Sequence, residues 1–309
     1  MAEHTESVSI IIPTLNRPQP LRRALASVAA QRLPEGIGLD VVVVDNSPDR
    51  SAQWVSESFP QMRYLSEPLP GVANARNAGV NGSTGHWVAF LDDDEEAAPD
   101  WIARHLDTLR RSGADGSFGP VVARAEGAGA SSDPSIIAFF ERRMDLPPGS
   151  DITARAAYLG TNNSVFARAT CLGAENPFDI SLNETGGEDS LLLQQLVKQG
   201  RRFAWAAEAA VTEFVPEKRL NWDYVTRRRF LSGQIRTFVQ SMLQPPRWDR
   251  IVFWMLAGAV QGMCWSLLGL ISRDRNKAQE ARSKAWGGWG KLFWARRFRP
   301  RLYGRGLVS

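Results

Sequence analysis

Three apolar runs, each closed by polar residues, constrain this chain more than anything else in it. They are Val8–Ile12, closed by Pro13-Thr14; Leu39–Val44, closed by Asp45-Asn46-Ser47-Pro48; and Trp87–Leu91, closed by Asp92-Asp93-Asp94-Glu95. Short, continuous, β-branched and apolar runs read as strands buried on both faces. Between them the spacing turns helical. Pro20–Gln31 carries Leu21, Ala24, Leu25 and Val28 behind a proline suited to a first turn, and Ser51–Phe59 and Gly71–Val80 read as further helices. Repeated strand–helix units imply a parallel or mostly parallel α/β sheet with right-handed crossovers. Ligands of such sheets gather outside the carboxyl ends of the strands. The three polar closures therefore belong on one edge, where a site is expected.

The acidic closure is the most chemical of the three. Adjacent carboxylates repel one another unless solvent or a cation screens them. A hard divalent ion takes oxygen ligands and often bridges to nucleotide phosphates. A solvated acidic turn carries the same letters, so the run acquires meaning only with its neighbours. Farther on, Ser117–Val122 resumes a strand, Asp145–Asp151 reads as a mobile loop, and Gly160-Thr161-Asn162-Asn163-Ser164 is a polar turn between apolar flanks. Glu188-Asp189 opens a helix through Leu191, Leu192, Leu193, Leu196 and Val197, a place the helix dipole alone makes favourable for acids.

At 309 residues, 43% hydrophobic and 23% charged, the chain has ample length for a core and is not a disordered polymer. Its two cysteines, Cys171 and Cys264, form neither a disulfide framework nor a zinc site and fit a reducing compartment. The opening Met1–Ser7 is short and polar, and the apolar run after it is too brief for a secretory signal, so a cytoplasmic location is expected. The net charge of +4 conceals a basic end: from Arg273 onward the only acids are Asp274 and Glu280, set among eleven Lys and Arg residues and Trp286, Trp289 and Trp294. Indole prefers the headgroup zone, so an anionic lipid surface fits this end better than nucleic acid does. Just before it, Ile251–Ile271 carries no charge. It is long enough to span a bilayer. Gln261, Ser266, Gly258, Gly262 and Gly269 weaken it, so a helix in the interface, half of a shallow hairpin with Ala285–Trp294, or a buried helix remain open.

Five stretches together carry a family resemblance: IIPTLNRPQPLRRALASVAAQ (11–31), VVVVDNS (41–47), GVANARNAG (71–79), WVAFLDDDEEAAPDW (87–101) and GGEDSLLLQQLVKQGRRFAWAAEAAV (186–211). In this order and spacing they resemble the inverting family 2 glycosyltransferases of GT-A fold, over roughly residues 8 to 235. With FVPEKRLNW (214–222) and RRRFLSGQ (227–234), the chain looks most like the ExoM-type succinoglycan glucosyltransferases. The resemblance implies a GT-A catalytic domain over 1–235, with a nucleotide-sugar half to about 120 and an acceptor half from about 121. A helical, amphipathic and basic membrane-associating region over 236–309 would follow.

It further implies transfer of a sugar, glucose by likeness, from a UDP-sugar to a glycan or a polyprenyl-diphosphate-linked oligosaccharide. That places the protein on the cytoplasmic face of the membrane, in cell-envelope or exopolysaccharide synthesis. Thr14 and Asp45 match positions that bond the nucleotide base, with Pro13, Asn16 and Arg17 in the same donor-binding stretch. Asp45 also reads as a plain turn former. Arg76 matches a residue that steadies base or phosphates, and a guanidinium suits both. Asp93 matches the acid that faces the ribose and Asp94 the ligand of Mg²⁺ or Mn²⁺, with Asp92 supporting both. Asp189 matches the catalytic base, with Glu188 beside it in an orienting or acceptor-binding role. Arg229 falls where relatives hold the diphosphate, although a basic helix face explains it equally. The family often carries a histidine some two dozen residues past the base. Here Thr212-Glu213 stands there, which implies a weaker metal site or one supplemented by water or Glu213. Glu95 reads as scenery. A nucleotidyltransferase needs a glycine-rich loop after the first strand, which Pro13–Arg17 lacks. The competing reading is a non-catalytic nucleotide-sugar binder on the same fold.

Overall fold

The computed structural model describes residues 6–127, 133–295 and 298. Its main sheet is built around β1 (Glu6–Thr14), with β2 (Ile37–Asp45) and β4 (Trp87–Phe90) parallel to it on either side. The register sets Thr14 beside Asp45, so the first two polar closures emerge at one edge, as the apolar runs require. β3 (Arg63–Ser66) extends the sheet beyond β2. On the other side follow β8 (Ser164–Ala167), antiparallel to both its neighbours, then β6 (Gly116–Phe118) and β9 (Phe203–Trp205). The order is β3-β2-β1-β4-β8-β6-β9. A small second sheet, β5 (Glu95–Ala97), β10 (Val211–Pro216) and β7 (Val121–Glu126), has β10 at its centre and Glu213 opposite Glu95. This is the GT-A-like, mostly parallel α/β architecture that the sequence implies.

The sheet is covered on both faces because its strands alternate sides with period two. Ile10 and Ile12 pack with Leu21 and Leu25 of α1 (Pro18–Ala29), and with Trp101 and Leu106 of α4 (Trp101–Ser112). Ile11 turns the other way, onto Ala73 and Val80 of α3 (Val72–Asn81) and Leu193 of α7 (Glu188–Lys198). Three expectations are corrected. The helix read over 51–59 shrinks to one turn, α2 (Val55–Ser58), because side chains take over the preceding backbone: Asp45 accepts from the Ala52 N–H at 2.8 Å and Ser47 Oγ from the Ser51 N–H at 2.8 Å. The strand read over 117–122 splits between the two sheets at Gly119-Pro120, where a Cβ on Gly119 would lie 2.0 Å from the Ala209 carbonyl oxygen. The 145–151 loop is held in place rather than free: Gly149 N donates to Trp205 O at 2.8 Å and Trp205 N to Ser150 O at 2.9 Å.

Short helices α5 (Pro134–Phe140) and α6 (Arg168–Cys171) complete the domain. Three long helices end the described chain: α8 (Trp222–Met242), which runs unbroken across residue 235, α9 (Trp248–Ile271) and α10 (Arg275–Leu292). Glycine lets them approach to backbone contact. A Cβ on Gly290 of α10 would lie 2.0 Å from Phe230 O of α8, and one on Gly288 would lie 2.5 Å from Gly262 N of α9. Cys171 is buried, Cys264 is exposed, and both are free thiols.

Candidate active site

The loop after β1 meets the acidic turn after β4. Thr14 Oγ1 donates to Asp93 Oδ2 at 2.7 Å, and Arg17 Nη1 reaches both Asp93 Oδ1 (3.1 Å) and Asp94 Oδ2 (2.8 Å). Asn16 sits at the bend with φ 54°, a backbone conformation asparagine tolerates. From the far side of the fold Arg219, just past β10, comes within 3.4 Å of the same Asp94 Oδ2. A second arm is carried by α3 and α7. Arg76 Nη1 donates to Glu188 Oε1 at 2.5 Å, while its Nη2 lies 3.7 Å from Asp92 Oδ1. Gly186 and Gly187, at φ 73° and 98°, make the turn that delivers Glu188 and Asp189 into the first turn of α7. There the two neighbours part: Glu188 is buried, whereas Asp189 is half-exposed. Asp189 Oδ1 accepts from Ser190 N at 2.6 Å and Ser190 Oγ at 3.3 Å, and among the described residues its Oδ2 accepts no hydrogen bond.

The cluster is short of positive charge. Burial and the adjoining Asp94 push Asp93 up to about 7, against the pull of Arg17 and Thr14. Burial and the adjoining Asp94 likewise push Glu213 up to about 8, although Arg219 and Arg228 draw it down. Burial, then the charge on Asp189, raise Glu188 to about 7 despite Arg76. Raised carboxyls around Asp94, all oxygen donors, match what a hard divalent cation relieves. Among the described residues no three His, Cys, Asp or Glu side chains gather closely enough to enclose an ion by themselves. A site of this kind suits an ion that takes its remaining oxygens from a ligand's phosphates, the usual habit of Mg²⁺.

Residues 9–166 match the family model Glycosyl transferase family 2. The chain is 35% identical over 241 residues to the succinoglycan biosynthesis protein ExoM of Rhizobium meliloti, covering 76% of this chain and 75% of ExoM. The chain belongs to glycosyl transferase family 2. Among solved structures it resembles the mannosyltransferase PcManGT of Pyrobaculum calidifontis, determined with GDP-Man and Mn²⁺. That match has a TM-score of 0.61 at 17% identity, over 93% of this chain and 87% of the other. S. aureus TarS 1-349 in complex with UDP superposes with a TM-score of 0.52 at 17% identity, over 92% and 89%. These likenesses establish the GT-A-like fold, and the glycosyltransferase and ExoM-type resemblance read from the motifs is borne out.

In this family 2 chain, most of the residues expected at a site do meet. Thr14, Arg17, Asp93 and Asp94 form one bonded group, with Pro13 and Asn16 in its first loop, and Arg76, Asp92 and Glu188 form a second, the two joined through the adjacent Asp92 and Asp93. Asp45 lies on the same edge but its carboxylate is taken up by its own loop: Ser47, the Ala52 N–H and Tyr64 OH at 3.1 Å. Arg229 is placed elsewhere. It stacks 5.1 Å over Phe139 and packs beside Gly287, while its neighbour Arg228 is the one close enough to lower Glu213.

Glu95 is not scenery. Fully buried, it accepts from Asp92 N at 3.1 Å and from Asn162 Nδ2 at 2.8 Å, and burial together with Asp92 pushes its carboxyl well above the ordinary range. Arg142 grips the same polar turn, donating to Asn162 O at 2.7 Å and Asn163 O at 2.9 Å. Asn163 in turn accepts from Trp101 Nε1 at 2.7 Å and lies 3.0 Å from His105 Nε2. Sequence reading missed Arg219, Arg142 and Asn162. Only the position of the GTNNS turn between two strands hinted at the last. A separate cleft of about 730 Å³ opens between α3 and α7, lined by Asn74, Asn81, Gln195 and Gln199, away from the carboxylates.

Proposed function

We propose that this chain is an inverting glycosyltransferase that moves a sugar, glucose by resemblance, from a UDP-sugar to a hydroxyl of a glycan acceptor. Residues up to about 120 bind the donor and those from about 121 to 235 the acceptor. The acceptor is an oligosaccharide carried on polyprenyl diphosphate at the cytoplasmic face of the membrane, and the product feeds an envelope or extracellular polysaccharide. One observation carries the reading: Asp189 holds a half-buried carboxylate whose Oδ2 accepts no hydrogen bond among the described residues, beside the buried Arg76–Glu188 pair and the acidic turn.

The chain's groups divide the work of a single displacement. The acceptor oxygen attacks the anomeric carbon from the face opposite the diphosphate, the bond to the leaving oxygen breaks, and the configuration inverts. Asp189 Oδ2 takes the acceptor's proton, because Oδ1 is already committed to Ser190. The ion pair of Glu188 to Arg76 and its burial favour the orienting role for it, holding Arg76 in place. Arg17 and Arg219, both ion-paired to Asp94, take up the oxygens of the diphosphate. Asp94, with Asp93 and Glu213 beside it, would hold Mg²⁺ or Mn²⁺, which when bound supplies Lewis-acid stabilisation of the departing diphosphate. Thr14 and the Asp45 loop border the nucleoside, with Asp45 shaping the loop.

The test is UDP release from a panel of UDP-sugars with and without Mn²⁺, in the wild type and Asp94→Asn. The reading predicts metal-dependent release that Asp94→Asn lowers at least about a hundredfold. Full activity of that variant in chelator would refute the metal assignment. UDP-sugar binding without turnover on any acceptor would favour the non-catalytic binder.

A further inference from the structure

The apolar helix α9 has two distinct sides. One is packed: Ile251, Gly258 and Gly262 are buried, and the antiparallel partner α10 meets it from Gly258 against Lys291 to Gly269 against Ala278 and Ala281. Gln261, the most polar residue in the apolar run, belongs to this side. It donates to Lys284 O at 3.0 Å and accepts from Lys291 Nζ at 2.6 Å. The other side bears Val252, Phe253, Leu256, Val260, Met263, Leu267, all at least half exposed, at helical spacing. Only 17% of the most apolar stretch of the helix is buried. The helix is about 36 Å long, and the stripe from Val252 to Leu267 covers roughly 23 Å of it.

We infer that α9 lies flat in the headgroup–acyl boundary of an anionic bilayer, its exposed stripe immersed and its other side held by α8 and α10, and does not cross the membrane. Crossing would carry α10 with it, since the two are in close contact from Gly258 to Gly269 of α9. That would place Arg275, Lys277, Glu280, Arg282 and Lys284 in hydrocarbon. Lying flat needs no such burial and leaves exposed bases at both ends of the stripe: Arg250 at the start, Arg273, Arg275 and Lys277 at the finish. Those charges suit anionic headgroups. The same charges count against a second copy, because antiparallel pairing of two stripes would set the basic start of one against the basic finish of the other. Exposed Trp248 at one end and Trp286 on α10 sit where indole rings anchor at an interface. The placement also serves a lipid-carried acceptor. Trp254 of α9 stacks edge-on against Tyr158 at 6.1 Å, and two residues later the backbone of Gly160 passes so close that a Cβ there would lie 3.2 Å from Asp189 Oδ2.

The test uses the full chain and needs no activity, so it can fail while the catalytic reading stands, and the reverse. Cys171 is buried, its thiol pushed up to about 12 chiefly by that burial, so a maleimide-linked environment-sensitive dye goes to Cys264 on the exposed side. On vesicles of phosphatidylglycerol and phosphatidylcholine the dye should blue-shift, and brominated acyl chains should quench it. Flotation should be at least tenfold weaker on phosphatidylcholine alone. Sodium carbonate at high pH should strip the protein. The double variant Leu256→Glu/Leu267→Glu should float at least tenfold less while keeping the wild-type circular dichroism. Carbonate-resistant retention would mean spanning, dye burial without lipid at rising protein concentration would mean a second copy, and equal flotation of the double variant would mean another surface; each overturns the inference.

Discussion

Consecutive residues at the start of a helix point about 100° apart, and at the head of α7 that angle separates two carboxylates by environment. Glu188 turns inward onto Arg76, and Asp189 stays half-buried beside Ser190. Glu188 therefore carries a proton more readily in the folded chain, with its value raised from 4.5 to about 7 by burial and the adjacent Asp189. A carboxyl raised on folding stabilises the fold fully below its unfolded value, and that contribution is lost as pH rises through the folded one. The melting temperature of the wild type should thus fall between about pH 5 and pH 8, and Glu188→Gln should flatten this fall. An unchanged slope would place the titrating group elsewhere. Asp94, Arg76, Glu188 and Asp189 were legible in the sequence because each sits in a local pattern, at a strand end or a helix start. Arg219 and Arg142 were not, since each finds its partners far along the chain, Arg219 at Asp94 and Arg142 at Asn162 and Asn163. Glu95 was misread because the turn that buries it is closed by Asn162, from another strand.

At the scale of elements, the acidic turn after β4 depends on a clamp rather than on its own sequence. Glu95 accepts the Asp92 N–H, Asn162 bonds Glu95, and Arg142 secures the turn that carries Asn162. Asn162→Ala leaves a buried carboxyl oxygen without its donor, so a loss of about 1–3 kcal/mol is expected by denaturant unfolding. Turnover should drop as well, with donor affinity less affected. A variant with wild-type stability and turnover would show that the clamp is dispensable. The helical end makes a packing prediction: Gly233→Ala sets a Cβ 2.3 Å from Gly287 O. Forcing α8 from α10 should cost about 1–3 kcal/mol, measured in the same way. Helices with clear apolar periodicity, such as α1 and α3, were readable to within a few residues. The segment at 51–59 was not, because Asp45 and Ser47 bind the backbone groups a longer helix would need.

Across the whole molecule, the parallel half of the sheet follows from three apolar runs and the helices between them, and it was legible for that reason. The small sheet β5-β10-β7 was not. It joins strands of three to six residues from distant parts of the chain, too short for a periodic signal, yet it positions Glu213 beside Asp94 and leads the chain to Arg219. The C-terminal helices join the domain through α8, whose Phe238 and Val239 pack with Leu191 of α7, so the candidate site and the apolar helix α9 belong to one structure. Of the basic residues at the end, Arg296, Arg297, Arg299, Arg301 and Arg305 lie outside the described residues. The central claim is that Asp189 takes the acceptor's proton. Its most direct measure is the rate of sugar transfer at saturating donor and metal for the wild type, Asp189→Asn and Glu188→Gln. Asp189→Asn should lose at least about a hundredfold in kcat with donor KM little changed, and Glu188→Gln should keep more of its rate than that. Near-normal transfer by Asp189→Asn, with Glu188→Gln inactive, would contradict the assignment.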